Sequence, residues 1–150
     1  MRRIEGDLLQ LALEGRFDVI VHGCNCFHTM GAGIAKHIAR QFPEAYKADL
    51  ATPKGDRTKL GTYSSAQVDR EDVSFTVVNA YTQFNWRGQG RKADYDAIEG
   101  CFRKIGLDFC GQHIAYPMIG AGLAGGDWTV IENIIEECLG DTPHTLVVLT

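Results

Sequence analysis

VHGCNCFHTMGAGI, residues 21–34, is the stretch that decides the fold. It continues a short apolar run that begins at Phe17 and is typical of a buried strand. It ends in the small-residue turn Gly31-Ala32-Gly33, after which Ile34, Ile38 and Phe42 recur every four residues, as on one face of a helix. A strand that leads through a glycine turn into a helix is the repeating unit of an α/β fold.

The rest of the chain repeats this alternation. Apolar, β-branched runs predict buried strands, and Arg2–Glu5 and Gly61–Val68 are weaker strand candidates, the second alternating enough to suit a sheet edge. The buried strands are predicted at 17–21, 75–80, 113–118 and 145–149, and helices at 34–42, 45–50, 93–110 and 128–139. The pattern predicts one domain, residues 1–150, with three α/β layers and a largely parallel sheet covered on both faces.

Composition excludes several classes of protein. The 150 residues carry 15 basic and 19 acidic side chains, a net charge of −4, without the basic cluster of a nucleic-acid binder. No apolar run approaches the roughly 20 residues of a membrane span. Five cysteines are an odd number for a disulfide framework, so we expect the reducing cytoplasm. Cys24 and Cys26 alone are a weak zinc signal, so we expect no bound metal. We also expect a monomer without a cofactor.

Two glycine turns are the strongest candidates for ligand binding. Gly31-Ala32-Gly33 opens a helix, where free backbone N–H groups and the helix dipole suit a phosphate. Gly120-Ala121-Gly122 again leads from a strand into a helix. Tight packing explains one such turn about as well as a ligand does, but two turns at neighbouring strand ends favour a clamp on a diphosphate.

The order of these motifs resembles the macrodomain family over nearly the whole chain. Gly6-Asp7-Leu8 comes first, then Val21–Asn25 leading to Gly31–Ala35, then Pro117 leading to Gly120–Leu123 before Trp128. The resemblance implies an α/β/α fold with a mixed, mostly parallel central sheet that binds ADP-ribose.

The resemblance also implies a role for each motif. Asp7 would accept a hydrogen bond from the adenine amino group, Asn25 would contact the distal ribose, and the glycine loops would wrap the diphosphate. The ligand-binding residues predicted in this way are Asp7, Leu8, Asn25, Met30, Gly31, Ala32, Gly33, Ile34, Gly120, Ala121, Gly122, Leu123, Ala124 and Gly125.

Within the family, the sequence is most similar to the branch of the terminal ADP-ribose glycohydrolase and the yeast-type ADP-ribose 1''-phosphate phosphatase. His-Gly-Cys-Asn-Cys from His22 is similar to the phosphatase. The lysine and aspartate of the glycohydrolase fall on Gln83 and Ala124 here, although Lys92 lies on the segment that follows Gln83.

We therefore predict a phosphatase-like hydrolase with His22 and Asp127 as its catalytic groups, because a histidine can exchange a proton near neutral pH and an aspartate can orient water. The alternative is that His22 is a strand-end histidine satisfied by the backbone and that Asp127 only caps the helix beginning at Trp128. A mono-ADP-ribosyl glycohydrolase and a non-catalytic reader remain alternatives. The predicted partner is ADP-ribose or an ADP-ribosylated conjugate, with nucleic acid only as such a conjugate and no membrane.

Overall fold

The computed structural model describes residues 1–85, 90–122 and 124–149. Six strands and five helices alternate along the chain, with a 3₁₀ turn at Arg57–Lys59. The elements are β1 (Arg2–Glu5), α1 (Leu8–Leu13), β2 (Val19–Cys24), α2 (Gly33–Gln41), α3 (Pro43–Leu50), β3 (Tyr63–Asp69), β4 (Ser74–Tyr81), α4 (Tyr95–Asp108), β5 (Ile114–Tyr116), α5 (Trp128–Leu139) and β6 (His144–Val148).

The strands form one mixed sheet in the order β1-β6-β5-β2-β4-β3. Every pair is parallel except β3 with β4, which puts the antiparallel strand at an edge. β2 lies near the centre, where Val21 is opposite Val78 of β4 and Ile20 is opposite Ala115 of β5. The carboxyl ends of β1, β6, β5, β2 and β4 therefore meet along the same side of the sheet.

Helices cover both faces of the sheet, as the alternating pattern predicts. Alternate residues of β2 point to opposite faces: Val19 and Val21 pack with α4 and α5, whereas Ile20 packs with α1, α2 and α3. The mixed, mostly parallel three-layer fold that the sequence predicts is confirmed.

Of the predicted elements, β1 and α5 have the expected boundaries, and the others differ from the prediction by up to three residues at one or both ends. β1 has the predicted limits, and β3 is the predicted edge strand. The prediction missed α1, because six residues are too few to establish a helical period. Pro43, at the first position of α3, separates that helix from α2. No helix within the described part of the chain is long and apolar enough to cross a membrane.

A buried polar contact joins α3 to β2, β3 and β4. Asn79 of β4 is completely buried, and its Nδ2 donates to Ala45 O at 2.9 Å and to Ser64 Oγ at 3.0 Å. Its Oδ1 is 2.6 Å from Nε2 of His22 on β2. Since Asn79 serves three elements at once, its side chain is satisfied although it has no access to solvent.

Replacing Asn79 tests this contact. Asn79→Ala leaves Nε2 of His22 without its buried acceptor and removes the bonds to Ala45 and Ser64, so we expect the free energy of unfolding to fall by about 2–4 kcal/mol in urea denaturation. Asn133→Ala, on the exposed surface of α5, removes the same side chain and should change it by less than about 0.5 kcal/mol. Equal effects of the two substitutions would contradict this account.

Candidate functional site

Two adjoining cavities open along the carboxyl ends of the parallel strands, where α/β folds bind ligands. The first has a volume of about 790 Å³ and the second about 640 Å³, and they share Gly33, Ile34, Pro117 and Met118. The first is lined by Gly23, Cys24, Asn25, Thr29, Gly31, Ala32, Gly33, Ile34, Ala35, Gln83, Lys92, Pro117, Met118, Ile119, Gly122 and Ala124. The second is lined by Gly6, Asp7, Leu8, Leu9, Gly33, Ile34, His37, Gln41, Pro117, Met118, Val147, Val148 and Leu149.

The first glycine loop lies in the middle of this joined site. Gly31, Ala32 and Gly33 are exposed and line the first cavity. Ala32 is the N-cap of α2 and has no side chain to bond the helix N–H groups, while Gly33 has a φ of +58°, which favours glycine. The N-terminus of α2 is therefore open to an anion, as the sequence predicts for this loop.

The second glycine loop has a different construction. A side chain on Gly120 would meet Ile131 Cδ1 at 3.1 Å and Ala93 Cβ at 3.3 Å, so this glycine faces the core rather than the cavity. A side chain on Gly126 would lie 2.5 Å from Gly120 O, which accepts the Gly126 N–H at 2.6 Å. Of the described glycines in this loop, Gly122 alone combines open space at the position of a Cβ with a place in the cavity lining. Packing therefore accounts for Gly120 and Gly126, and ligand approach for Gly122.

Asp127 has the structural role that was the alternative to catalysis. Its carboxylate accepts the Thr129 N–H at 2.9 Å as the N-cap of α5, and its own N–H donates to Tyr95 Oη at 3.0 Å. The side chain is exposed and is absent from the described lining of either cavity. Since the cap already occupies the N-terminus of α5, the second loop does not offer that terminus to an anion.

Asp7 lies at the opposite end of the site, after β1. Its Oδ1 caps α1 by accepting the N–H groups of Leu9 and Gln10 at 3.0 and 3.3 Å. Both described hydrogen bonds use Oδ1, so the carboxylate lines the second cavity with a second oxygen available. The position fits an acceptor for an amino group of a ligand, the role that the resemblance implies.

Asn25 is buried where β2 ends, and its side chain organises its own loop. Nδ2 donates to Thr29 Oγ1 at 2.6 Å and to Thr29 O at 3.1 Å, while Oδ1 accepts the Phe27 N–H at 2.9 Å. These bonds hold the segment that carries the chain to the first glycine loop. Asn25 lines the first cavity, and its contact with a ligand stays a prediction.

His22 lies beneath the cavity. It is completely buried, and because Asn79 Nδ2 is committed to two acceptors, Oδ1 faces the ring and Nε2–H of His22 donates to it at 2.6 Å. Burial lowers the pKa of His22 to about 4, so the ring is neutral at pH 7. The structure does not bring His22 and Asp127 together, and their catalytic role stays a prediction.

Cys24 lies next to His22 and also lines the first cavity. Its Sγ lies 3.5 Å from Nε2 and 3.8 Å from Nδ1 of His22, and Cys24 itself lines the cavity. Burial raises the pKa of this thiol well above its usual value, which argues against a thiolate nucleophile. No cluster of three or more His, Cys, Asp or Glu side chains that could hold a metal ion occurs in residues 1–85, 90–122 and 124–149.

Lys92 and Gln83 were not among the predicted site residues, yet both line the first cavity. Gln83 follows β4, and the Lys92 N–H donates to Ala124 O at 2.7 Å, which ties Lys92 to the second loop. The sequence feature that could have identified them as site residues was their position after a predicted central strand. Helix and strand periodicity carries no information about where an irregular segment folds back.

The predicted ligand-binding residues divide into three groups. Those that line a cavity are Asp7, Leu8, Asn25, Gly31, Ala32, Gly33, Ile34, Gly122 and Ala124. Met30 is buried in the core beneath α2, and Gly120, Ala121 and Gly125 lie outside the lining. Leu123 lies outside the described residues.

Residues 21–135 match the family model of the Macro domain. A 17.5 kDa protein of Enterobacteria phage T4 is 38% identical, with 91% of this chain and 88% of the relative covered. An ADP-ribose 1''-phosphate phosphatase of Candida albicans is 24% identical over 89% of this chain and 90% of its own length. A DNA ADP-ribosyl glycohydrolase of Mycobacterium tuberculosis is 26% identical over 96% of this chain, which spans only 40% of that relative.

Solved structures show the same fold. The macrodomain of Mycobacterium tuberculosis DarG has a TM-score of 0.78 at 21% identity, with 97% of this chain and 95% of that chain covered. Thermosipho africanus DarTG in complex with ADP-ribose has a TM-score of 0.72 at 18% identity, with 99% of this chain and 42% of that chain covered.

The buried neutral His22 predicts a loss of stability in acid. Its pKa is about 4 in the folded protein against 6.5 when exposed, so the unfolded chain takes up the proton first. The free energy of unfolding should therefore fall by about 3 kcal/mol through this group as the pH drops from 6.5 to 4, and level off below that.

His22→Gln keeps an N–H donor for Asn79 without the titration. Urea denaturation at pH 7 and pH 4.5 should show a smaller acid loss for this variant, whereas the exposed control His37→Gln should retain the wild-type loss. His113 and His144, whose pKa values burial also lowers, are common to all three proteins. An unchanged acid loss in His22→Gln would refute the assignment.

The second glycine loop offers a matched pair of substitutions. Gly126→Ala collides with Gly120 O and should lower the free energy of unfolding by about 1–3 kcal/mol. Gly122→Ala has open space and should leave it within about 0.5 kcal/mol, yet place a methyl group in the cavity and weaken ADP-ribose binding. Thermal denaturation and calorimetry separate the two effects, and a stability loss in Gly122→Ala would contradict the assignment of these glycines.

Proposed function

This chain belongs to the Macro domain family, and from that premise we propose that it binds ADP-ribose along the two joined cavities and hydrolyses an ADP-ribose derivative at the distal ribose. The preferred reaction is that of an ADP-ribose 1''-phosphate phosphatase, in which water releases inorganic phosphate and leaves ADP-ribose. The domain-scale match to the phosphatase of Candida albicans supports this choice, since both chains are covered almost fully.

The shape of the site is the observation that carries the binding proposal. Asp7 follows β1 and Gln83 follows β4, and these strands are four steps apart in the sheet. At about 4.8 Å per step the site extends over roughly 19 Å, an elongated form that suits a dinucleotide-like ligand. Each cavity has a volume within the usual range for small-molecule sites.

The chemistry of the lining changes along this length in the order of the parts of ADP-ribose. Asp7 offers a carboxylate oxygen for the adenine amino group, and the apolar walls of the second cavity suit the adenine ring. The N-terminus of α2 and the small residues around Gly122 suit the diphosphate. Asn25 and Gln83 then offer polar groups to the distal ribose.

A lysine-dependent glycohydrolase is less well supported. Gln83 and Ala124, the positions on which the lysine and aspartate of that branch fall, both line the first cavity but cannot act as nucleophile or acid. The mycobacterial DNA ADP-ribosyl glycohydrolase remains a relative at 26% identity, of which this chain spans 40%, so its activity does not transfer by similarity alone.

A reader that binds ADP-ribose without chemistry is the second candidate. It is favoured by the absence of both predicted catalytic groups, His22 and Asp127, from the described lining of the cavities. In the phosphatase proposal His22 acts through Cys24 rather than by contact with the ligand, since Cys24 lies next to its ring and lines the cavity whereas His22 is not in the described lining.

Calorimetry with ADP-ribose tests the binding proposal. Asp7→Asn keeps an oxygen that can cap α1 but loses the charge, so we expect binding to weaken by about 10- to 100-fold, the value of a charge-assisted hydrogen bond. Asp56→Asn makes the same change at the N-cap of the 3₁₀ turn and should leave the affinity unchanged. Absence of binding by the wild-type protein at millimolar ADP-ribose would refute the proposal.

Phosphate release from ADP-ribose 1''-phosphate separates the enzyme from the reader. An enzyme should release phosphate with a rate that His22→Gln lowers, while the affinity for ADP-ribose stays within about threefold. Tight binding without phosphate release identifies the reader. Release of ADP-ribose from a mono-ADP-ribosylated protein or DNA in the same samples identifies the glycohydrolase.

A further inference from the structure

We propose that Lys92 makes this site prefer ligands that carry an additional negative charge at the distal ribose, a phosphate monoester in particular. The inference rests on the proposed binding of ADP-ribose and adds to it the class of substituent that the far end of the site selects. It assigns a specificity-determining role to Lys92 and assumes no chemical step.

The charges of the lining are the first argument. Among the described lining residues of the first cavity, Lys92 is the one with a permanent charge, and no carboxylate lies there. The chain as a whole has a net charge of −4, so its general field repels an anion. A positive charge in the cavity is therefore a local feature, which acts on whatever group of the ligand is close to it.

The backbone of Lys92 is held between two parts of the site. Its N–H and that of the buried Ala93 both donate to Ala124 O, at 2.7 and 3.1 Å. Two residues further on, the Asp94 N–H donates to Thr82 O at 2.8 Å, directly after β4. The backbone of Lys92 is therefore already held in place, so binding an anion requires ordering of its side chain alone.

The Lys92 ammonium forms no ion pair with the described residues of the protein. No carboxylate within the described ranges forms an ion pair with it, whereas Arg70 and Arg103 are paired with Glu44 and Glu99. Its neighbour Arg91 lies over the ring of Tyr95, 4.0 Å from the centroid. Lys92 is thus the half-buried cation that remains available to a ligand in the first cavity.

The location of Lys92 places it nearer to the distal ribose of a bound ADP-ribose than to the diphosphate. The diphosphate is expected between the N-terminus of α2 and Gly122, whereas Lys92 is tied to Ala124 and to the end of β4. Asp7, the proposed adenine acceptor, follows β1, four strands from β4 in the sheet. Lys92 therefore belongs to the end of the site opposite to adenine, where a 1''-substituent would lie.

Competition binding tests this role with ADP-ribose and ADP-ribose 1''-phosphate, read within seconds of mixing while phosphate release is followed in the same samples. We expect the wild-type protein to bind the phosphate ester about tenfold more tightly at low salt. Lys92→Gln should reduce this preference to less than about twofold and change the affinity for ADP-ribose by less than about threefold. Lys92→Arg should retain most of it.

Lys104→Gln is the matched control, because Lys104 is exposed on α4, does not line either cavity and makes the same change in net charge. It should retain the wild-type preference. The preference should also shrink as the pH falls from about 7.5 to about 5, because the second pKa of a phosphate monoester is about 6.

Three results would overturn the inference. The first is that the wild-type protein binds both ligands equally, and the second is that Lys92→Gln keeps the preference. The third is that Lys92→Gln weakens both ligands by the same factor, since Lys92 would then contact the diphosphate that they share. Failure of the proposed function is distinct from all three, because in that case the wild-type protein binds neither ligand.

Discussion

The parallel pairing of β2 with β4 on one side and β5 on the other is the constraint on which the site depends. It brings three carboxyl ends together, so that the segments after β2, β5 and β4 all border the first cavity. Gly23 shows how close this approach is: a side chain there would lie 2.7 Å from Thr82 Oγ1 and 3.3 Å from Ile119 Cγ2. A larger residue at this position would separate the strand ends that form the floor of the cavity.

The two glycine loops border the same cavity but are built differently. The first exposes the N-terminus of α2, which no side chain caps, and its small residues face the cavity. The second is folded on itself by the bond between Gly126 and Gly120, and Asp127 closes the N-terminus of α5. Helix N–H groups are therefore available to an anion at the first loop. The second loop forms part of the cavity wall and holds the backbone of Lys92.

Polar groups within the fold have separate functions above and below the floor of the cavity. Below it, His22 and Asn79 satisfy each other and hold α3 against the sheet, and burial keeps the histidine neutral. Above it, the charges lie at the two ends of the joined cavities, with Asp7 after β1 and Lys92 beyond the second loop. His22 is absent from the described lining of both cavities, because its side chain is buried and bonded to Asn79.

Apart from α1, the sequence by itself determined the order and type of the elements, the edge position of β3 and the first glycine loop, because hydrophobic period and glycine turns are local properties of the chain. Motif order also established the family. Only the tertiary structure decided which side chains face the cavity. In it His22 is buried, Asp127 caps α5 and Gly120 packs against the core. Lys92, in contrast, lines the first cavity. The reason is that orientation at a strand end and the return path of a loop are set by packing against residues distant in sequence, and no local pattern encodes them.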